Sequence, residues 1–313
     1  LLTLVLIALT IRVDRSAAVA LLPDVQVTEY VALPDDDAYP PTVALTPDGT
    51  LFTGSYATGV VWRVAPDLTV TEIPNTREQI GGVSGIAVLM DGALVVVDNG
   101  DPDPRTAGGS VWRVTLDGQV TTFATLDDDR GWVAPDDVAV DAQGYVYISD
   151  RGRNEIWRFD ADGANGAVWW VPPVDAAILQ RAITGLAYDS AHDAIIVTDP
   201  EANDIFRILM AEGETEVLYR HGERPNPPGF DGVTVTPDGT IYVAALGQNG
   251  IASVDDGDLD YIAGLFRGAS DVAYANGRLF VANFDQTSLV VPLYRPSLPF
   301  AIDVIQLSPD SSG

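Results

Sequence analysis

A chain of 313 residues, 47% of them hydrophobic, is long enough for one large domain or two ordinary ones. Its formal net charge is −28, and all 17 basic residues are Arg, so it repels nucleic acid and anionic membrane surfaces and attracts cations. The absence of Cys and Lys excludes disulfides, thiolate metal sites, thiol nucleophiles and Schiff-base chemistry, and two His residues are too few for a His-rich zinc site.

The chain opens on "LLTLVLIALTI", an apolar run short for a membrane span, followed by Arg12, Arg15 and the small-residue pattern "AAVA" ending at Ala20. Residues 1–20 read as a truncated signal peptide, with an uncleaved anchor as the alternative. Either one places the protein outside the cytoplasm and leaves this segment out of the fold. Next comes a lone strand, "DVQVTEYVAL", from Asp24 to Leu33.

From there one pattern recurs six times at intervals of roughly 40 to 50 residues, the period of a propeller blade. Each copy begins with a short apolar strand: "TVALT", "GIAVL", "DVAVD", "GLAYD", "GVTVT" and "DVAYA". Turns follow such as Asp48-Gly49, Asp91-Gly92, Asp238-Gly239 and Asn276-Gly277, which are strong hairpin signals. Second strands read "LFTGS", "LVVVD", "VYISD", "IIVTD", "IYVAA" and "LFVAN". Third strands read "VVWRV", "SVWRV", "EIWRF" and "DIFRI", weakening to "IASV" and "SLVVP"; fourth strands include "TVTEI" and "DYIAGL". Helical periodicity is nearly absent, with one short hint in "VDAAILQRAI". The expected fold is all-β: a six-bladed β-propeller of four-stranded antiparallel blades, a single domain over residues 24–307 with a tail at 308–313. The lone strand is expected to complete blade six, with "FAIDVIQL" competing for the same place.

The Trp-Arg pairs at 62/63, 112/113 and 157/158 repeat at one blade position, which marks them as packing. Function belongs instead to positions that break the repeat. The innermost strands line the central channel, and the first of the two residues before each apolar run forms a ring at one mouth. That ring is Pro41, Ser84, Asp136, Thr184, Asp231 and Ser270. Two carboxylates there repel unless they share a proton or bind a cation, and an oxygen-only donor set suits Ca²⁺ or Mg²⁺. The competing reading is that each Asp caps its strand entrance through backbone N–H groups. On the same face, His221 in "YRHGERPNPPGFDG" is a candidate general base, and "DNGDPDPRTAGG" carries Asp98, Asp101, Asp103 and Arg105 as an acidic loop. His192 lies in a hairpin on the opposite face and takes no role.

The six copies, and above all "FDGVTVTPDGTIYVAALGQNGIASVDDGD", resemble the senescence-marker-protein/gluconolactonase/luciferin-regenerating-enzyme-like family over most of residues 25–295. The strand-DG-strand signature is shared with NHL-type and TolB-like propellers. The resemblance implies hydrolysis of lactones or related esters at one divalent metal, held by a blade-one Glu, a blade-four Asn and a blade-five Asp. Asp231 matches the blade-five Asp, and Asp136 falls where the family has a substrate-side Asn. Thr184 stands at the blade-four Asn position, and Pro40 or Pro41 where the Glu is expected. The implied site is therefore Asp231 and Asp136 as ligands of Ca²⁺ and as catalytic groups with His221, and Ser84, Thr184 and Ser270 toward a small-molecule substrate. The other function compatible with this fold is a non-catalytic propeller that binds a ligand or protein partner across the channel mouth. A monomer is expected in either case.

Overall fold

A computed structural model of the chain describes residues 16–307 apart from 101–107, 176, 177, 179, 212 and 292. The expected initial run 1–15, the tail 308–313, and Asp101, Asp103 and Arg105 lie outside the described residues. Six antiparallel sheets form a ring, and in blades one to five the four blade strands follow one another in sequence order from the channel outward. In blade one these strands are Val43–Leu45, Leu51–Gly54, Val61–Val64 and Val70–Glu72. Blades two to five repeat the arrangement, with innermost strands Val83–Val88, Pro135–Val140, Leu186–Asp189 and Phe230–Val235.

Blade six closes the ring. Its strands are Ala269–Ala275, Arg278–Asn283, Ala301–Gln306 and Gln26–Ala32, the last paired from Gln26 with Gln306 to Ala32 with Ala301. Both strands that competed for the closing place are thus used, side by side. The expected third strand "SLVVP" is instead part of an insertion, with Gln286–Val290 helical. Ala301–Gln306 buries both faces, Ile302 against blade one and Ile305 against blade five, whereas the apolar Val290 and Val291 are exposed. Residues 16–20, assigned above to the leader, also join the fold. Val19–Ala20 pairs with Gly264 and Ala263 at the outer edge of blade five, and Ser16 donates to Asp303 at 2.8 Å. Among the described residues, no helix is long and apolar enough to cross a membrane, and those described in "VDAAILQRAI" lie in no helix.

The core lies between blades and not within them, because a single blade cannot bury its own faces. Val95 and Val97 of blade two pack with Val146, Ile148 and Trp157 of blade three, and Trp62 is buried with Tyr39 and Phe300 near the closure. The Trp of the repeated pair is therefore a packing residue. The Asp that ends several second strands is a clamp. Asp98 accepts from the backbone N–H groups of Gly81, Gly82 and Gly100 and from the Trp112 indole at 2.8–3.2 Å. Asp150 accepts from Val133, Ala134 and Arg153, and Asp199 from Ala182, Glu201 and Ala202. Each clamp ties the loop entering its blade to the end of the second strand, so the channel mouth is built on fixed loops.

Candidate functional site at the channel mouth

Four innermost strands are irregular where they enter the channel. Register slips between Val83 and Gly85, Pro135 and Val138, Phe230 and Val233, and Ala269 and Asp271. A bulge turns side chains out of strict alternation and re-aims them. Here it brings Ser84, Asp136, Asp137, Asp231, Ser270 and Asp271 to one cavity of about 60 Å³, together with Pro41, Tyr56 and Arg151. A larger cleft of about 690 Å³ adjoins it across blades four to six and shares Arg151 and Asp231; Thr184, Phe266, Arg267 and Tyr294 also line it.

The structure thus gathers five of the six ring positions around the small cavity and puts Thr184 in the cleft. The hydroxyls there tie the chain together. Ser270 donates to the Pro41 carbonyl at 2.8 Å, joining blade six to blade one. Ser84 reaches the carbonyls of Val97 and Pro135 at 3.3 and 3.5 Å, and Thr184 meets the Thr198 hydroxyl at 3.2 Å. His221 is not brought to the site. It is buried, with Nδ1 3.0 Å from the Tyr219 hydroxyl and Nε2 2.9 Å from the Arg224 carbonyl. Its loop folds back on itself through Arg224 Nε to the His221 carbonyl, so both ring nitrogens are committed and neither faces either cavity.

Two further carboxylates, Asp137 and Asp271, stand one place beyond the ring expected from the sequence, at the second entry residue of their strands. That second residue is Gly in blades two, four and five but Asp in blades three and six. Asp137 accepts from the Leu186 N–H at 2.8 Å and so bridges to blade four. Asp271 accepts from the Val43 N–H at 2.8 Å and the Thr42 hydroxyl at 3.0 Å, bridging to blade one. The glycines make room for them: a Cβ on Gly232 would lie 2.7 Å from Asp271 Cα, and one on Gly85 2.9 Å from Asp137 Cα. A second missed ring follows the second strands, two residues past Gly54 in blade one and one residue past the strand end in the other blades. Tyr56, Arg151, Pro200, Leu246 and Phe284 all line one cavity or the other. Its signal was in the sequence too, as six unlike residues at one repeat position.

Crowding sets the electrostatics. Burial pushes the Asp231 carboxyl well above the ordinary carboxylate range, and the charges of Asp136, Asp271 and Asp137 push it further, against the opposing pull of Arg151. Asp137 is raised well above that range by burial and then by Asp271. Asp271 is pushed up to about 7 by burial, against the N–H groups of Val43 and Val272. Burial also raises Asp136, whose Oδ1 lies 3.5 Å from Arg151 Nε. Asp136, and after it Tyr56 and Asp231, in turn hold the Arg151 guanidinium firmly protonated against its burial.

The donor set does not fit the divalent ion that the resemblance implied. Asp137 and Asp271 spend carboxylate oxygens on backbone N–H groups, and Asp136 faces a guanidinium. Pro41 supplies no side-chain donor, and among the described residues no three His, Cys, Asp or Glu side chains converge as ligands of one ion. What the arrangement provides is a carboxylate of raised basicity, Asp231, beside a fixed cation at the junction of a small cavity and a substrate-sized cleft.

A family model described as "Phytase-like: Esterase-like activity of phytase" matches residues 78–259, more than half of the chain. No curated protein matches the sequence. Solved structures of similar shape include a gluconolactonase from Xanthomonas campestris, 17% identical, with a TM-score of 0.66 over 92% of this chain and 91% of that one. A calcium-binding protein, regucalcin, from Agrobacterium tumefaciens is 15% identical, with a TM-score of 0.63 over 90% of this chain and 96% of that one. A virginiamycin B lyase from Staphylococcus aureus is 14% identical, with a TM-score of 0.63 over 91% of this chain and 100% of that one. The resemblance read from the sequence is borne out in three dimensions, and at these identities the likeness is one of fold.

Proposed function

The chain belongs to the phytase-like family, described by an esterase-like activity of phytase, and from that premise we propose that it hydrolyses carboxylic esters or lactones at the channel mouth. The observation that carries the reading is Asp231, a half-buried carboxylate of raised basicity where the small cavity meets the cleft. A general base works best with a pKa near the working pH, and the crowded ring lifts Asp231 toward it. In the reaction Asp231 takes a proton from water, whose oxygen bonds to the ester carbonyl carbon. The bond from that carbon to the alkoxy oxygen then breaks, and the proton on Asp231 passes to the departing alkoxide. The cleft of about 690 Å³ has the size of sites that enclose small organic molecules.

The gluconolactonase among the structural neighbours supports this reaction class. Regucalcin's calcium gives no step here, because the described residues at this mouth do not fit that ion. Part of the same reading is a monomeric enzyme that works on a small molecule outside the cytoplasm, the last resting on the apolar run "LLTLVLIALTI". The test is hydrolysis of a panel of aryl esters and aldonolactones by the wild type and by Asp231→Asn. The variant is expected to keep its fold and lose kcat by ~10²- to 10⁴-fold, the usual weight of a general base. Equal rates in the two proteins, or no cleavage of any ester by the wild type, would refute the reading.

A further inference from the structure

We propose that Arg151 is the fixed cation of this site: its guanidinium binds the substrate carbonyl oxygen and stabilises the negative charge that develops there, in place of a divalent metal ion. The inference rests on the ester-hydrolase reading and concerns what that site uses as its electrophile.

A cavity lined by Asp136, Asp137, Asp231 and Asp271 needs compensating positive charge, and Arg151 is the basic residue in its lining. Arg151 and Asp231 each line both the small cavity and the cleft, so a substrate that reaches the base from the cleft meets the guanidinium. The side chain is aimed from a rigid support. The Arg151 backbone N–H donates to the Ala134 carbonyl at 3.0 Å, and the flanking Asp150 clamps Val133, Ala134 and Arg153. Gly152 lets the turn close on this loop, since a Cβ there would lie 3.2 Å from that of Ala134. At its far end Nε faces Asp136 Oδ1 at 3.5 Å, with the Tyr56 hydroxyl nearby. A guanidinium has five N–H donors and stays charged at any working pH, so Asp136 leaves donors available for an oxyanion. The side chain is 31% exposed, open enough to be reached from the cleft.

Calorimetry and kinetics decide it together. Protein treated with EDTA is titrated with Ca²⁺, Mg²⁺, Mn²⁺ and Zn²⁺, and its ester hydrolysis is measured with and without each ion. The expected result is no site tighter than about 1 mM, the weak end of calcium-binding modules, with hydrolysis unchanged by EDTA. Arg151→Gln is expected to lower kcat/KM by ~100- to 1,000-fold, as loss of an oxyanion donor does, and Arg151→Lys by less. Methylguanidinium added to Arg151→Gln restores part of the rate and does nothing for Asp231→Asn, which a merely structural arginine would not produce. A saturable metal site whose filling restores EDTA-treated enzyme overturns the inference and leaves ester hydrolysis standing. So does an Arg151→Gln variant as active as the wild type. If the wild type cleaves no ester at all, the ester reading falls and takes this inference with it.

Discussion

Replacing Asp271 by Asn should flatten the pH dependence of folding stability. In the native protein this carboxyl is pushed from an ordinary 3.8 to about 7. A folded-state pKa raised above the unfolded one means that the native state holds its proton more tightly. The group's contribution to stability is then fully present below about pH 4 and is lost as pH rises toward 7. A rise of about three pH units corresponds to ~4 kcal/mol at 1.36 kcal/mol per unit, and partial access of this half-buried residue to water trims that to about 2–4 kcal/mol. Asn carries no charge, so it escapes this loss. Its amide oxygen can replace the oxygen that serves Val43 and Thr42, while the amide nitrogen then faces the Val272 N–H that Oδ1 now accepts at 2.8 Å. The lost bond costs about 1–3 kcal/mol at every pH. Urea unfolding at pH 4, 5.5, 7 and 8, followed by tryptophan fluorescence, should therefore show the variant less stable at pH 4 and equal to or above the wild type at pH 8. Removing the Asp271 charge also eases Asp137 and Asp231, which acts in the same direction. A stability difference between the two proteins that stays constant from pH 4 to 8 would show that the ring carboxylates are not crowded as described.

Further outcomes follow from the same geometry. The kcat/KM of ester hydrolysis should rise with pH through an ionisation well above the ordinary carboxylate range, because Asp231 must shed its proton to act; a profile flat down to pH 4 would count against it as the base. Gly232→Ala should lower the melting temperature, since its Cβ would press on the Asp271 backbone, an overpacking cost of about 1–3 kcal/mol; a neutral variant would mean that the interblade contact is looser than described. His221→Gln should leave kcat unchanged while costing about 1–2 kcal/mol of stability through its two lost ring contacts, and a large loss of activity would return His221 to the site.

The repeat makes the fold legible from the sequence alone. Asp-Gly and Asn-Gly turns between short apolar strands are local features, and six copies of them leave little choice but a closed ring of blades. Legibility failed at blade six, where "SLVVP" has the composition of a strand but no partner face to bury, so the third strand is taken from Ala301–Gln306 beyond an insertion. At the site, Asp136 and Asp231 were legible because they break a repeat at the channel mouth. Asp137 and Asp271 were equally visible in "PDDV" and "SDVA" but went unread, because strict alternation hides what a bulge exposes.

What the sequence determined by itself, then, is whatever depends on neighbours along the chain: turns, strand period, blade number, and the ring of unlike residues at the strand entrances. Only the tertiary structure decided what those residues meet. Asp136 is separated from Arg151 by a full hairpin turn and a strand, Asp271 from Val43 by 228 residues, and Asp231 lies on yet another blade. Their charges act across the ring through space. Whether two acidic residues hold a metal, share a proton or face an arginine is set by that closure, which no local pattern encodes.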